Sequence, residues 1–198
     1  MNIQYLGSSY GGWKIDLDSI NDGDTIIDGG LGEDISFDIE LLKLKKVRII
    51  GIDPTEKSHR FMEGNTQYGI ELIKAAIEKE GIEKVEMFKN SNPNYVSESV
   101  NSNHSMSKNE SYLAPVVNLK NLISEYNPSL IKLDIEGSEY NVYKDCVGVK
   151  QICIEFHHHC INGISISDTN NVIDYLKGNG YEVIASTPNY QEVTFLKK

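Results

Sequence analysis

An α/β domain built on a mainly parallel sheet is the fold class to expect, and three observations lead to it. Short apolar runs alternate with amphipathic stretches along the chain. A glycine-rich turn, Asp28-Gly29-Gly30-Leu31-Gly32-Glu33, stands where the first apolar run gives way to the first helical stretch. Two later apolar runs end in charged residues, as strands do when they deliver side chains to one edge of a sheet.

Residues 25–28 (TIID) are predicted as the first of these strands, and residues 33–46 as a helix with acids in its first turn and lysines in its last, which suits the helix dipole at both ends. Residues 48–53 (RIIGID) make a second strand, stopped by Pro54. Residues 68–80 (YGIELIKAAIEKE) read as a helix ending at Gly81, and residues 85–88 as the third strand. The fourth and fifth strands are residues 130–133 and 151–156. A helix over residues 169–177, ending at Gly178, and strands over 181–185 and 192–196 complete a seven-stranded pattern. Neither a repeat nor a linker divides residues 1–198, so a single domain is expected.

The 198 residues carry 19 basic and 29 acidic side chains, a formal charge of −10. Residues 16–40 hold nine acids and no Lys or Arg, a surface that repels a polyphosphate backbone, so nucleic acid is not an expected partner. Nowhere do eighteen apolar residues run together, and no membrane association is expected. Cys146, Cys153 and Cys160 leave one thiol over under any pairing, which favours a reducing, cytoplasmic setting. One segment departs from the alternation. Asn and Ser make up 13 of the 22 residues from 90 to 111, too polar a composition for a core element, so this insertion is either a mobile surface loop or a hairpin arching over the site.

The chemistry concentrates at three places. At the first strand–helix junction Gly30 and Gly32 let the backbone approach a ligand closely. Ile35 stands where a dinucleotide fingerprint needs a third glycine, and Glu33 and Asp34 would repel a pyrophosphate while tolerating a cationic head group. Further on, Lys132 and Asp134 share one face of the fourth strand and Glu136 follows just past its end. Burial of such charges calls for pairing of Lys132 with a carboxylate. Glu155 and His157 share a face of the fifth strand. Three successive histidines (His157, His158, His159) invite a metal reading, but adjacent strand residues point apart and no metal site is expected from them. A neutral base or substrate contact is the better role for His157, whose ordinary pKa lies near operating pH.

The D-x-G-x-G pattern at Asp28, Gly30 and Gly32, with an acid (Asp53) ending the next strand, resembles the S-adenosylmethionine site of class I methyltransferases. The segments Gly7–Trp13, Gly32–Asp38, Asp53-Pro54-Thr55, Lys132–Gly137 and Glu155-Phe156-His157, in that order, are similar to the FkbM-type branch of that family, with K-x-D-x-E-G the most specific element. The resemblance implies a Rossmann-like fold, a mostly parallel seven-stranded sheet with helices on both faces. It implies an enzyme that transfers a methyl group from S-adenosylmethionine to a hydroxyl of a sugar or natural-product-like molecule. Asp28, Gly30, Gly32 and Glu33 then lie near the methionine part of the cofactor, Asp53 at its ribose, and Asn90 or Ser91, just after the third strand, at its adenine. Asp134, Glu136 and His157 are the candidate bases, with Lys132 holding the carboxylates in place. Glu155 falls on the acceptor side. Tyr10 and Trp13 either wall the acceptor or pack the N-terminal segment on the core. Two other readings stay open: a nicotinamide-dependent oxidoreductase, and a methyltransferase-like domain that binds without turnover.

Overall fold

The structure, a computed structural model, describes residues 1–198. It opens with an antiparallel hairpin, β1 (Ile3–Leu6) and β2 (Trp13–Asp16), followed by β3 (Thr25–Gly29), α1 (Ser36–Leu44), β4 (Arg48–Ile52) and α2 (Glu56–Glu63). Next come β5 (Glu71–Ile73), β6 (Ala76–Glu78), β7 (Lys84–Asn90), β8 (Ser107–Asn118), α3 (Leu119–Tyr126) and β9 (Leu130–Leu133). The chain ends with α4 (Glu139–Val142), β10 (Gln151–Glu155), α5 (Ile166–Gly178), β11 (Tyr181–Ser186) and β12 (Glu192–Lys197). No helix is long and apolar enough to cross a membrane.

Seven strands form the central sheet in the order β11-β12-β10-β9-β3-β4-β5. Four of its six pairings are parallel, and β12 runs antiparallel to both neighbours. The strand order reverses between β3 and β9. At that point the carboxyl ends of the two strands open a crevice, which is where ligands bind in open α/β sheets.

Side-chain alternation along the strands builds one core on each face. Ile27, Ile131 and Ile152 point to the face covered by α3, α4 and α5, where they pack with Leu119, Val142, Val172 and Leu176. Ile26, Leu130 and Cys153 point the other way, against α1 and the N-terminal hairpin, through Phe37, Leu41, Trp13 and Ile15. Each of these fully buried side chains contributes about 1.5–3 kcal/mol, so the sheet is clamped from both sides. A separate three-stranded sheet, β6-β8-β7, stands beside the crevice.

Several expected elements differ. Residues 68–80 are not a helix: Glu71–Ile73 and Ala76–Glu78 are two short strands in different sheets. The third parallel strand is therefore β5, while the expected third strand, residues 85–88, lies in β7 of the smaller sheet. The helix expected over 33–46 begins only at Ser36, because the Asp34 carboxylate accepts the Ser36 N–H at 2.8 Å and holds residues 33–35 in a turn. The N-terminal hairpin, α2, the long strand β8, α3 and α4 had no counterpart in the sequence reading. α2 is capped by Thr55, whose hydroxyl accepts the Ser58 N–H.

Candidate functional site

A cavity of about 490 Å³ opens over the carboxyl ends of β3, β4, β9 and β10. Its floor is the turn after β3. Gly30 has φ +85 and Gly32 φ +57, both in the left-handed region that favours glycine, and a Cβ on Gly30 would lie 1.7 Å from the Asp134 carbonyl oxygen. The turn is anchored from three directions. Gly30 N–H donates to the Ile52 carbonyl at 2.8 Å, Leu31 packs its side chain onto Gly51, and Gly32 N–H donates to Asp53 Oδ2 at 2.9 Å. Asp53 is itself fixed: its Oδ1 accepts the N–H and hydroxyl of Thr55, and His59 donates to its carbonyl. Three donors on a carboxylate with roughly four lone-pair positions leave one acceptor position for a ligand hydroxyl.

Beneath the turn, the parallel register of β3 and β9 sets Asp28 beside Lys132. Their buried ion pair closes at 2.9 Å, and Lys132 Nζ also donates to the Gly30 carbonyl at 3.2 Å. Asp28, expected near the methionine part of the cofactor, does not line the cavity. It lies behind the cavity wall and supports the turn through Lys132. Of the pair only Lys132 reaches the cavity.

Asp134, Glu136, Glu155 and His157 converge in the same cavity, with the Asp134 backbone against the glycine turn. His157 is buried, and its Nδ1 lies 2.9 Å from Oε1 of Glu139, a residue with no exposed surface. This contact aims Nε2 at Glu136 Oε2 (3.2 Å) and Asp134 Oδ1 (3.7 Å). Burial works against a charge on His157, but Glu139, Glu136 and Asp134 together hold its pKa well above the ordinary histidine value. Burial raises Asp134 to about 6, with Lys132 and His157 acting the other way. Glu155 is pushed to about 8, first by the charge of Asp134 and then by burial. Glu136 adopts φ +52, a left-handed conformation that costs a non-glycine residue about 1–3 kcal/mol. Ser99 on the insertion holds it there by donating its hydroxyl to the Glu136 carbonyl.

The polar insertion packs over this cluster. Ser99 bridges to Phe88, and His104 to Ile161, while Ser105 N–H donates to the Cys160 carbonyl. Met106 N–H donates to His104 Nδ1, which places the ring proton on Nε2, 3.2 Å from both Glu136 Oε2 and Cys160 Sγ. Val96, Ser97, Glu98 and Val100 complete the roof.

The structure brings Gly30, Gly32, Glu33, Asp53, Asn90, Lys132, Asp134, Glu136, Glu155 and His157 to one cavity, with Tyr10, 76% exposed, at its mouth. Ser91 does not line it. Its assignment to adenine, like that of Asn90, took β7 for the third parallel strand, whereas the segment leaving β5 toward the cavity is Ala75-Ala76-Ile77. Trp13 is 4% exposed and packs with Ile15, Phe37 and Leu41, so it anchors the hairpin and shows the cavity only an edge. Neither His158 nor His159 joins His157 at the carboxylates: His158 contacts Thr169, and His159 stacks on the His157 ring. Sequence reasoning missed Ala75 to Ile77, hidden in the misassigned helix, and Glu139, three residues beyond Glu136. It also missed His104, whose one signal was to be the sole histidine in an Asn- and Ser-rich run.

A family model described as the methyltransferase FkbM domain matches residues 27–183. No curated protein sequence matches the chain. Among solved structures, the precorrin-6y C5,15-methyltransferase of Geobacter metallireducens GS-15 superimposes with a TM-score of 0.50 at 13% identity, covering 90% of this chain and 82% of that one. Fibrillarin of Aeropyrum pernix, solved with natively bound S-adenosyl-L-methionine, has a TM-score of 0.46 at 10% identity, covering 98% of this chain and 81% of that one. At such identities the first likeness speaks for the fold alone, a Rossmann-like methyltransferase sheet.

Proposed function

This chain belongs to the FkbM methyltransferase family, and from that premise we propose that it transfers a methyl group from S-adenosylmethionine to a hydroxyl oxygen of a small-molecule or glycan acceptor. The observation that carries the reading is one cavity lined by two unlike groups: a glycine turn braced on Asp53, and a carboxylate–histidine cluster beside it.

The cofactor fits what the residues offer. A volume of about 490 Å³ lies within the roughly 300–1,000 Å³ of small-molecule sites. The Gly30–Gly32 turn would take the methionine part, Glu33 and Asp34 lie where its ammonium is favoured, and the open acceptor position of Asp53 suits a ribose hydroxyl. The same acids speak against the pyrophosphate of a nicotinamide cofactor.

When bound, S-adenosylmethionine supplies the methyl group, whose C–S bond breaks with the electron pair left on sulfur as the new O–C bond forms. The chain's own residues align and deprotonate the acceptor. Alignment is the larger contribution in a direct displacement, and Tyr10, Glu155 and the roof residues bound the space in which the acceptor lies. Its hydroxyl proton passes to the Asp134–Glu136–His157 cluster, in which His157 is oriented from behind by Glu139, while Lys132 holds Asp28 and the Gly30 carbonyl rather than these carboxylates. An uncharged acceptor suits a cavity where Lys132 is the sole Lys or Arg and is already paired. The test is transfer of labelled methyl from S-adenosylmethionine to a panel of sugars and polyhydroxylated small molecules. The reading expects a labelled ether product, reduced by about 100-fold or more in Asp134→Asn, the range general-base removal gives. Cofactor binding without transfer to any hydroxyl compound would instead mark a binding domain.

A further inference from the structure

We propose that Asp134, Glu136 and His157 form a binding site for one divalent cation of the Mg²⁺ or Mn²⁺ type. The three residues offer donor atoms that all lie within 4.8 Å of one another. His157 Nε2 stands 3.2 Å from Glu136 Oε2 and 3.7 Å from Asp134 Oδ1. Donors sharing one ion at about 2.0–2.2 Å are necessarily about 3 Å apart, so little movement closes the set. The backbone provides the placement. β9 and β10 run parallel with Leu133 beside Ile154, so the Asp134–Glu136 run leaves its strand next to the Glu155–His157 run. The left-handed turn at Glu136 keeps the second carboxylate at the strand end.

An observation outside the three points the same way. The fully buried Glu139 carboxylate lies 2.9 Å from His157 Nδ1 and accepts its N–H. Nε2 is thereby directed at the two carboxylates and exchanges its proton for the ion on binding, and a carboxylate behind the ring is how histidine ligands are oriented and made more basic. Charge gives a further reason. Asp134, Glu136 and Glu155 crowd one wall, and Lys132, the sole Lys or Arg at the cavity, is committed to Asp28 and the Gly30 carbonyl. Two carboxylates and one imidazole make an oxygen-dominated, open donor set, leaving roughly three octahedral positions to water or ligand, unlike the closed tetrahedral set of structural zinc. Resting on the proposed methyl transfer, the ion's role is to take the acceptor oxygen at one open position and make its hydroxyl more acidic, the proton then leaving to Glu155, the neighbouring cavity carboxylate outside the ligand set.

The test is titration of MnCl₂ into the chelator-stripped whole chain, followed by electron paramagnetic resonance, with S-adenosylhomocysteine binding measured calorimetrically in parallel. One saturable Mn²⁺ per chain is expected, with nitrogen hyperfine coupling from a single imidazole in the unaltered protein. Glu136→Gln and Glu139→Gln are expected to weaken it by about tenfold or more, while the surface change Glu110→Gln leaves it unchanged. Absence of a saturable site, absence of nitrogen coupling, or unchanged affinity in Glu136→Gln overturns the proposal. S-adenosylhomocysteine binding without Mn²⁺ binding removes the metal site alone, and Mn²⁺ binding without S-adenosylhomocysteine removes the methyl-transfer reading alone.

Discussion

Asp38 in α1 is fully buried, and neither carboxylate oxygen has a hydrogen-bond partner. Burial, then the neighbouring charge of Asp28, pushes its pKa well above the ordinary carboxylate value, with Lys132 opposing. A raised folded-state pKa means that the folded chain keeps a proton the unfolded chain gives up. The contribution of Asp38 to stability is therefore greatest below the ordinary aspartate pKa of about 3.9 and falls as pH rises toward its raised folded-state value, by up to about 1.4 kcal/mol per pH unit for one proton. Urea unfolding across a pH series is expected to show this slope as the difference between the unaltered chain and Asp38→Asn, which mimics the protonated acid. The glycine turn gives a second residue-level expectation. Gly32→Ala meets only Val96 Cγ2 at 3.3 Å and should cost about 1–2 kcal/mol for its left-handed backbone. Gly30→Ala meets a backbone carbonyl at 1.7 Å and should lose far more, seen as a much larger fall in Tm. Gly30, Asp53, Asp134 and His157 were legible in the sequence because each stands at a strand end, where residue type and position together announce a role. Glu139 and His104 were not, because their parts depend on contacts across 18 and 32 residues of chain.

At the scale of elements, legibility followed period and length. Strands β3, β4, β9 and β10 are short, almost wholly apolar runs, and their limits fall within a residue of those read from the sequence. Residues 70–77 defeated the same reasoning: Ile70, Leu72, Ile73, Ala75, Ala76 and Ile77 satisfy a helical spacing as well as two strands joined at a bend. β8 was hidden because its first residues belong to the Asn- and Ser-rich run and pair with β7 through the backbone, which composition does not report. The insertion between them is tied down at Phe88, Ile161 and Glu136, yet its contacts are mostly polar. Such a segment opens locally at low free energy. Hydrogen exchange over residues 95–106 is expected to slow when S-adenosylhomocysteine is added, while the β9 amides, already deep in the sheet, stay unchanged. Equal protection with and without ligand would separate the insertion from the site.

Taken whole, the molecule places one half of its site after β3 and β4 and the other after β9 and β10, on either side of the point where strand order reverses. The two-sided core holds this frame, and the smaller sheet with its insertion roofs it. The acidic balance of −10 acquires a local meaning there, since Glu33, Asp34, Asp53, Asp134, Glu136 and Glu155 all border one cavity. A cationic sulfonium cofactor is the ligand such a wall favours, and a polyanion the one it opposes. The most direct test of that claim is calorimetric titration of the chain with S-adenosylhomocysteine and S-adenosylmethionine, beside NADH. Saturable binding of one molecule of either sulfur ligand per chain is expected, weakened in Asp53→Ala by about tenfold or more, the cost of a lost hydrogen bond to a charged group. NADH should not bind. Saturable NADH binding without either sulfur ligand, or sulfur-ligand affinity indifferent to Asp53, would contradict it.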